Sequence, residues 1–157
     1  MKRLKRQLRK TRKRKQKGGD LNIQLQIAPI STNAKGISLY SKIQFETSGT
    51  PTIEWSAPPK GTYYTLLCVD PDAPEPDWLH WMAVNCVGGD PASGTVLTPW
   101  EPPTPPTGTH MYYFNLYSHS APIGAVAPKT RSGFDTDAFV KTNGLKLFSQ
   151  TMIRVKA

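Results

Sequence analysis

The sequence has only two cysteines in 157 residues, Cys68 and Cys86. Two thiols cannot build a disulfide framework, so stability must come from a packed core. No apolar run approaches the ~20 residues of a membrane-spanning helix. The N-terminus lacks the apolar h-region of a secretory signal. These absences lead to the expectation of a soluble, cytoplasmic protein with reduced thiols. Residues 1–17 contain no acid and no aromatic residue. Base stacking on that segment is therefore not expected. Proline is the residue in excess, 15 of 157, about twice the usual ~5%. So much proline argues against a helical bundle and for a β-rich, loop-rich fold.

Charge is divided unevenly. Eleven of the twenty Lys and Arg lie in residues 1–17, whereas the other nine share the rest of the chain with all eleven acids. The leader is +11 and the body −2. A block of like charge whose only apolar members past Met1 are Leu4 and Leu8 cannot offset its ordering entropy. Residues 1–19 are therefore expected to be a disordered basic tail ending at Gly18-Gly19, and 20–157 a single domain. Three roles are open to the tail. It can bind nucleic acid by counterion release, lie on an anionic membrane, or serve as a nuclear address. A solvated tail with no specific role is the plain alternative.

In the body, Leu21, Ile23, Leu25 and Ile27 alternate with polar residues, the period of a strand with one buried face. Ile37, Leu39, Ile43 and Phe45 suggest further short strands, and Thr52–Ser56 alternates around Ile53 and Trp55. Tyr63–Val69, Trp81–Val87 and Met111–Tyr117 read as buried strands, and Gln150–Lys156 returns to period two. Strands at this spacing, with turn signals between them, predict an all-β antiparallel sandwich or barrel with minor α. One helix is legible: Asp135 is a good N-cap, Asp137 sits in the first turn, and Gly144 suits the residue beyond the end.

Three segments carry chemistry. Asp70-Pro71-Asp72-Ala73-Pro74 pins two carboxylates on a stiff backbone at a strand end. The plain alternative is an acidic turn whose Asp side chains cap backbone N–H groups. His80 lies between tryptophans in Trp78-Leu79-His80-Trp81, and is expected partly out of water. His110, in Gly108-Thr109-His110-Met111-Tyr112, enters a buried strand and should lie at a sheet end like Asp70. His119 reads as exposed, and both cysteines read as core thiols.

Taken together, these elements resemble the phosphatidylethanolamine-binding protein family, which includes the Raf kinase inhibitor proteins and the plant flowering regulators. The resemblance rests on Trp55-Ser56-Ala57-Pro58-Pro59, Tyr64-Thr65-Leu66, Asp70–Pro74, Trp78–Trp81, Ser93-Gly94-Thr95, Gly108–Tyr112 and Arg131-Ser132-Gly133-Phe134-Asp135. It implies a large antiparallel sheet packed on a smaller one, with a small anion pocket at the sheet ends. That pocket would use Asp70, His80, His110 and Tyr112, with Asp72, Pro74 and Trp81 building its wall and Gly108 at its edge. A buried carboxylate near two imidazoles should raise their pKa, so that His⁺ and Tyr O–H bind phosphate or carboxylate while Asp70 accepts from an ammonium group. The basic leader ending in Lys-Gly-Gly looks like those of proteins of large DNA viruses, which adds a virus-encoded, virion-associated member to the readings.

The sequence also departs from the family pattern. Met111 stands where the family has Arg and Glu75 where it usually has Ser, so the rim should be less positive. The loop Pro99–Pro106 is rich in proline, so it should offer fewer N–H donors. Its PxxP spacings are open to SH3-type domains, with a rigid rim as the favoured alternative. The chain stops at Ala157, without the helix that covers the pocket in animal members, and a more open pocket is expected.

The favoured function is a non-enzymatic binding module for a phospholipid head group or another phosphorylated or anionic ligand, with no cofactor, that modulates a kinase, protease or transcription partner. Two alternatives remain. One is a metal-assisted hydrolase using Asp70, His80 and His110. The other is a nucleic-acid-associated protein acting through the tail.

Overall fold

The computed structural model describes residues 21–157, and the tail expected over 1–19 lies outside the described residues. The elements run β1 (Asn22–Gln24), β2 (Ser31–Thr32), β3 (Ser38–Ser41), α1 (Lys42–Glu46), β4 (Thr52–Glu54), β5 (Tyr63–Asp70), β6 (Trp78–Cys86), a 3-10 turn (Pro91–Ser93), β7 (Thr95–Thr98), β8 (Thr109–His119), α2 (Thr136–Thr142) and β9 (Lys146–Lys156). Seven strands form one sheet in the order β2-β3-β9-β8-β5-β6-β7, and β1 and β4 pair separately. All pairings are antiparallel except β3 with β9.

The centre of the large sheet is β5, and its sequence shows why. Tyr64, Leu66 and Cys68 face one layer while Leu67 and Val69 face the other, so a continuous apolar run serves two cores. On the first face, Ile53, Trp55 and Leu21 of the small sheet and its flanks pack with Phe114, Ile153 and Val155. The indole N–H of Trp55 donates to Gly88 O at 2.9 Å, and the Trp55 backbone N–H donates to Gly89 O at 2.9 Å. A Cβ on Gly89 would collide with the Trp55 carbonyl oxygen, so glycine there lets the two sheets meet. On the second face, Phe134, Phe139 and Val140 from α2 and the segment before it cover Leu67, Leu79 and Met82. Both cysteines are free and buried.

The helix expected after Asp135 is α2. The Asp135 carboxylate accepts from the Ala138 N–H at 2.9 Å. Gly144 (φ +62) closes the helix, with Leu145 N–H on Val140 O at 3.0 Å and Gly144 N–H on Lys141 O at 3.3 Å, the paired bonds of a Schellman end. Three expectations need correction. Ile43 and Phe45 lie on α1, not on a strand: Gln44 Oε1 accepts from the Ser41 N–H at 2.8 Å and starts a helical turn. Ile43 is 67% exposed and Phe45 1%, so the two do not share a face. β3 pairs in parallel, a departure from a purely antiparallel sheet. His119 is buried, donating to or accepting from Thr65 Oγ1 at 2.8 Å, with its Nδ1 on Ala121 O at 2.8 Å.

Candidate functional site

The ends of β5, β6 and β8 converge at one edge of the large sheet. Asp70 closes β5, His80 lies near the start of β6, and His110 and Tyr112 open β8. All four line a cavity of about 260 Å³, together with Ala73, Pro74, Trp78, Thr104, Pro105 and Pro106. His110 Nδ1 donates to Asp70 Oδ2 at 2.7 Å, with both side chains buried. The other carboxylate oxygen, Oδ1, accepts from the Asp72 N–H at 2.9 Å. Asp72 in turn accepts from the Met111 N–H at 2.8 Å. The acidic segment after β5 is thus stitched to β8, and both oxygens of the Asp70 carboxylate are held by hydrogen bonds.

His80 reaches the cavity through a bulge. Cys68 pairs with Trp81 and the adjacent Val69 with Leu79, which leaves His80 as the extra residue. In a regular strand Leu79 and Trp81 would share a face. Here Leu79 packs in the second core and Trp81 in the first, and the His80 ring lies edge-on to Tyr112 at 5.0 Å. A bulge of this kind re-aims one side chain and frees its backbone from the ladder. The proline-rich segment satisfies the freed groups: Glu101 N–H donates to His80 O at 2.9 Å, and His80 Nδ1–H donates to Glu101 O at 2.7 Å.

Electrostatics corrects one expectation. His80 was expected to have a raised pKa, yet it is lowered from 6.5. Burial is the largest cause and Arg131 acts with it; the Glu101 carbonyl and the Asp70 and Glu101 charges oppose them. Desolvation wins because it penalises the imidazolium outright. Burial, followed by the Asp70 charge, pushes the Tyr112 hydroxyl far above its ordinary value, so Tyr112 stays a hydrogen-bond donor.

Of the eight residues singled out in the sequence, Asp70, His80, His110, Tyr112 and Pro74 border the cavity. The other three do not. Asp72 braces Asp70. Trp81 packs one layer behind, edge-on to Trp100 at 5.6 Å, because the bulge takes it off the cavity side. Gly108 (φ +67) makes the turn into β8, and its carbonyl accepts from the Ala157 N–H at 2.8 Å. Neither Lys nor Arg is among the lining residues. Pro103 and Pro105 are fully buried, so two of the three PxxP spacings are closed to an SH3-type domain, and Thr104–Pro106 border the cavity instead. Sequence reasoning gave no role to Trp78, Glu101 or Arg131. Trp78 Nε1–H donates to Glu101 Oε2 at 3.0 Å, and Arg131 Nε lies 3.4 Å from the same oxygen. An acid inside a proline run was the available signal. Among the described residues no three His, Cys, Asp or Glu side chains group closely enough to hold a metal ion.

A family model described as phosphatidylethanolamine-binding protein matches residues 16–153. The chain belongs to this family. It is 37% identical over 109 residues to the 26 kDa secreted antigen of Toxocara canis, which covers 60% of this chain and 41% of that protein. It is 35% identical over 103 residues to Protein BROTHER of FT and TFL 1 of Arabidopsis thaliana, covering 60% of this chain and 58% of that one. The chain thus aligns with only about half the length of these relatives. In fold it is similar to the phosphatidylethanolamine-binding protein from Plasmodium vivax (TM-score 0.65, 20% identity, 98% of this chain and 95% of that one). It is also similar in fold to a carboxypeptidase Y inhibitor complexed with the cognate proteinase (TM-score 0.68, 17% identity, 89% and 84%). Members of the family are generally binding and regulatory proteins. Among the described residues no helix is long and apolar enough to cross a membrane.

Proposed function

We propose that this protein is a non-enzymatic binding and regulatory module whose pocket takes a small phosphorylated group, with the phosphoethanolamine head group as the leading candidate. The observation that carries the reading is the buried Asp70–His110 pair, 2.7 Å apart, bordering the same cavity as His80 and Tyr112. Two imidazoles and a phenol offer donors to phosphate oxygens, and the Asp70 carboxylate keeps lone pairs for an ammonium group. A cavity of about 260 Å³ suits a head group and leaves acyl chains outside. With no Lys or Arg in the lining, charge for the anion comes from the histidines, so binding draws a proton onto His80.

Regulation of a protein partner through the face around the cavity belongs to the same reading. Its support is the fold shared with a proteinase inhibitor. The tail of residues 1–19 acts in this scheme as an electrostatic tether to anionic membrane or nucleic acid.

The test is an NMR titration of the full chain, following the imidazole signals of its three histidines. Phosphoethanolamine, inorganic phosphate and phosphatidylethanolamine vesicles are the three probes. His80 and His110 should shift together and saturably, His119 should stay still, and His110→Ala should remove the effect. Response to free phosphoethanolamine but not to vesicles identifies a soluble ligand, and the reverse identifies a lipid surface. Stationary His80 and His110 signals with every probe overturn the reading.

A further inference from the structure

The bulge that turns His80 toward the cavity leaves carbonyl oxygens outside the sheet ladder, and a buried carbonyl needs a donor. Besides the Glu101 N–H, one side chain donates to two carbonyls of the bulge and to one of the rim. Arg131 Nη1 donates to Leu79 O and to His80 O, each at 3.1 Å, and Nη2 donates to Pro99 O at 2.8 Å. Its Nε lies against the Glu101 carboxylate at 3.4 Å. Its own carbonyl accepts from the Leu79 N–H at 2.8 Å. A guanidinium is suited to this because its donors spread in a rigid plane and its charge does not titrate. The result ties three segments that are distant in sequence: the bulged start of β6, the proline rim, and the strand-free stretch before α2.

We infer that Arg131 is the positioning residue of the pocket: by clamping the bulge to the rim it holds Glu101 O on His80 Nδ1, and so fixes which imidazole nitrogen carries the proton. Because Nδ1 donates to a carbonyl, the neutral ring must keep its proton there, and Nε2 is left as the bare lone pair. At neutral pH, Nε2 then takes a proton when an anion arrives. The groups facing His80 are Asp70 from β5, Tyr112 and His110 from β8, Glu101 from the rim and Arg131 itself. None of the others contacts the bulge carbonyls through a side chain. The inference rests on the proposed ligand reading only for its affinity consequence; the proton placement stands without any ligand.

The experiment is ring ¹⁵N NMR of the full chain without ligand, in wild type, Arg131→Gln and Arg131→Lys. In wild type at neutral pH, His80 should show the Nδ1–H tautomer; an Nε2–H signal overturns the inference. Arg131→Gln should lose the single tautomer and show exchange between both forms. Lysine cannot reach three carbonyls at once, so Arg131→Lys should show the same loss while keeping the charge. If both folded variants keep the Nδ1–H form, the clamp is merely structural and the inference falls. Should Arg131→Gln fail to fold, the Arg131→Lys tautomer decides. A parallel phosphoethanolamine titration separates the two claims. A tautomer change with no ligand response even in wild type sinks the ligand reading and leaves the positioning role. A ligand response in wild type that both variants retain unchanged overturns the affinity consequence alone, and the tautomer still decides the positioning role.

Discussion

At His80 two influences oppose each other: burial favours the neutral ring, and the Glu101 carbonyl and Asp70 favour the charged one. Burial prevails, and the consequence is a pH dependence of defined sign. The folded-state pKa lies below the unfolded value, so below about pH 6.5 the unfolded chain binds the proton first. Stability from this group is therefore complete above pH 6.5 and is lost as pH falls toward the folded-state value. Urea unfolding between pH 8 and pH 5 should show this decline, and His80→Ala should flatten it. Under the proposed binding mode, affinity for a phosphate probe should run the other way and strengthen on acidification, because a protonated His80 would add charge for the anion. A second expectation concerns the thiols. Burial pushes Cys68 well above its ordinary range and Cys86 up to about 11. Both should resist an aromatic disulfide reagent in the native protein and react fully in denaturant. That Asp70, His80 and His110 gather at one cavity was an expectation carried by the family resemblance, because each motif alone also had a plain structural reading. The protonation state of His80 was not legible, since its partner is a backbone carbonyl 21 residues away. Nor was the burial of His119, whose hydroxyl partner Thr65 is 54 residues distant.

At the scale of elements, short signals decide. Asp135→Ala removes the carboxylate that holds the Ala138 N–H and should cost about 1 kcal/mol of stability, read by urea unfolding. Gly89→Ala forces a methyl onto the Trp55 carbonyl. Because backbone rather than a side-chain tip must yield, the expected loss is about 1–3 kcal/mol. Trp55 fluorescence should change with it, as the contact joins the two sheets. α2 was readable before the structure because both its ends carry specific caps. α1 was not. Its five residues are too few to show helical period, and Leu39, Ile43 and Phe45 imitate alternation. The Ser41–Gln44 spacing was the one clue, a capping pair of the kind that starts helices. The bulge in β6 left no trace in composition, since it arises from how Cys68 and Val69 meet their partners.

For the whole molecule, the division of charge is the feature with the plainest test. If the tail meets nucleic acid, the logarithm of affinity should fall with the logarithm of salt, with a slope up to about −10 when all eleven cations contact phosphates. Deleting residues 1–19 should abolish that binding and leave the imidazole response to phosphoethanolamine unchanged. Loss of both together would show that tail and pocket are not separable.

The position of β9 has a consequence for how the chain is made. β9 lies between β8 and β3, pairing Leu39 with Arg154 across more than a hundred residues. On the ribosome, β3 has no place in the large sheet until residue 156 has emerged. At about 5–20 residues per second, β3 waits seconds for the strand that ties it to the sheet. Completion of the large sheet therefore waits on β9, the strand that joins an early segment of the chain to the middle of the sheet.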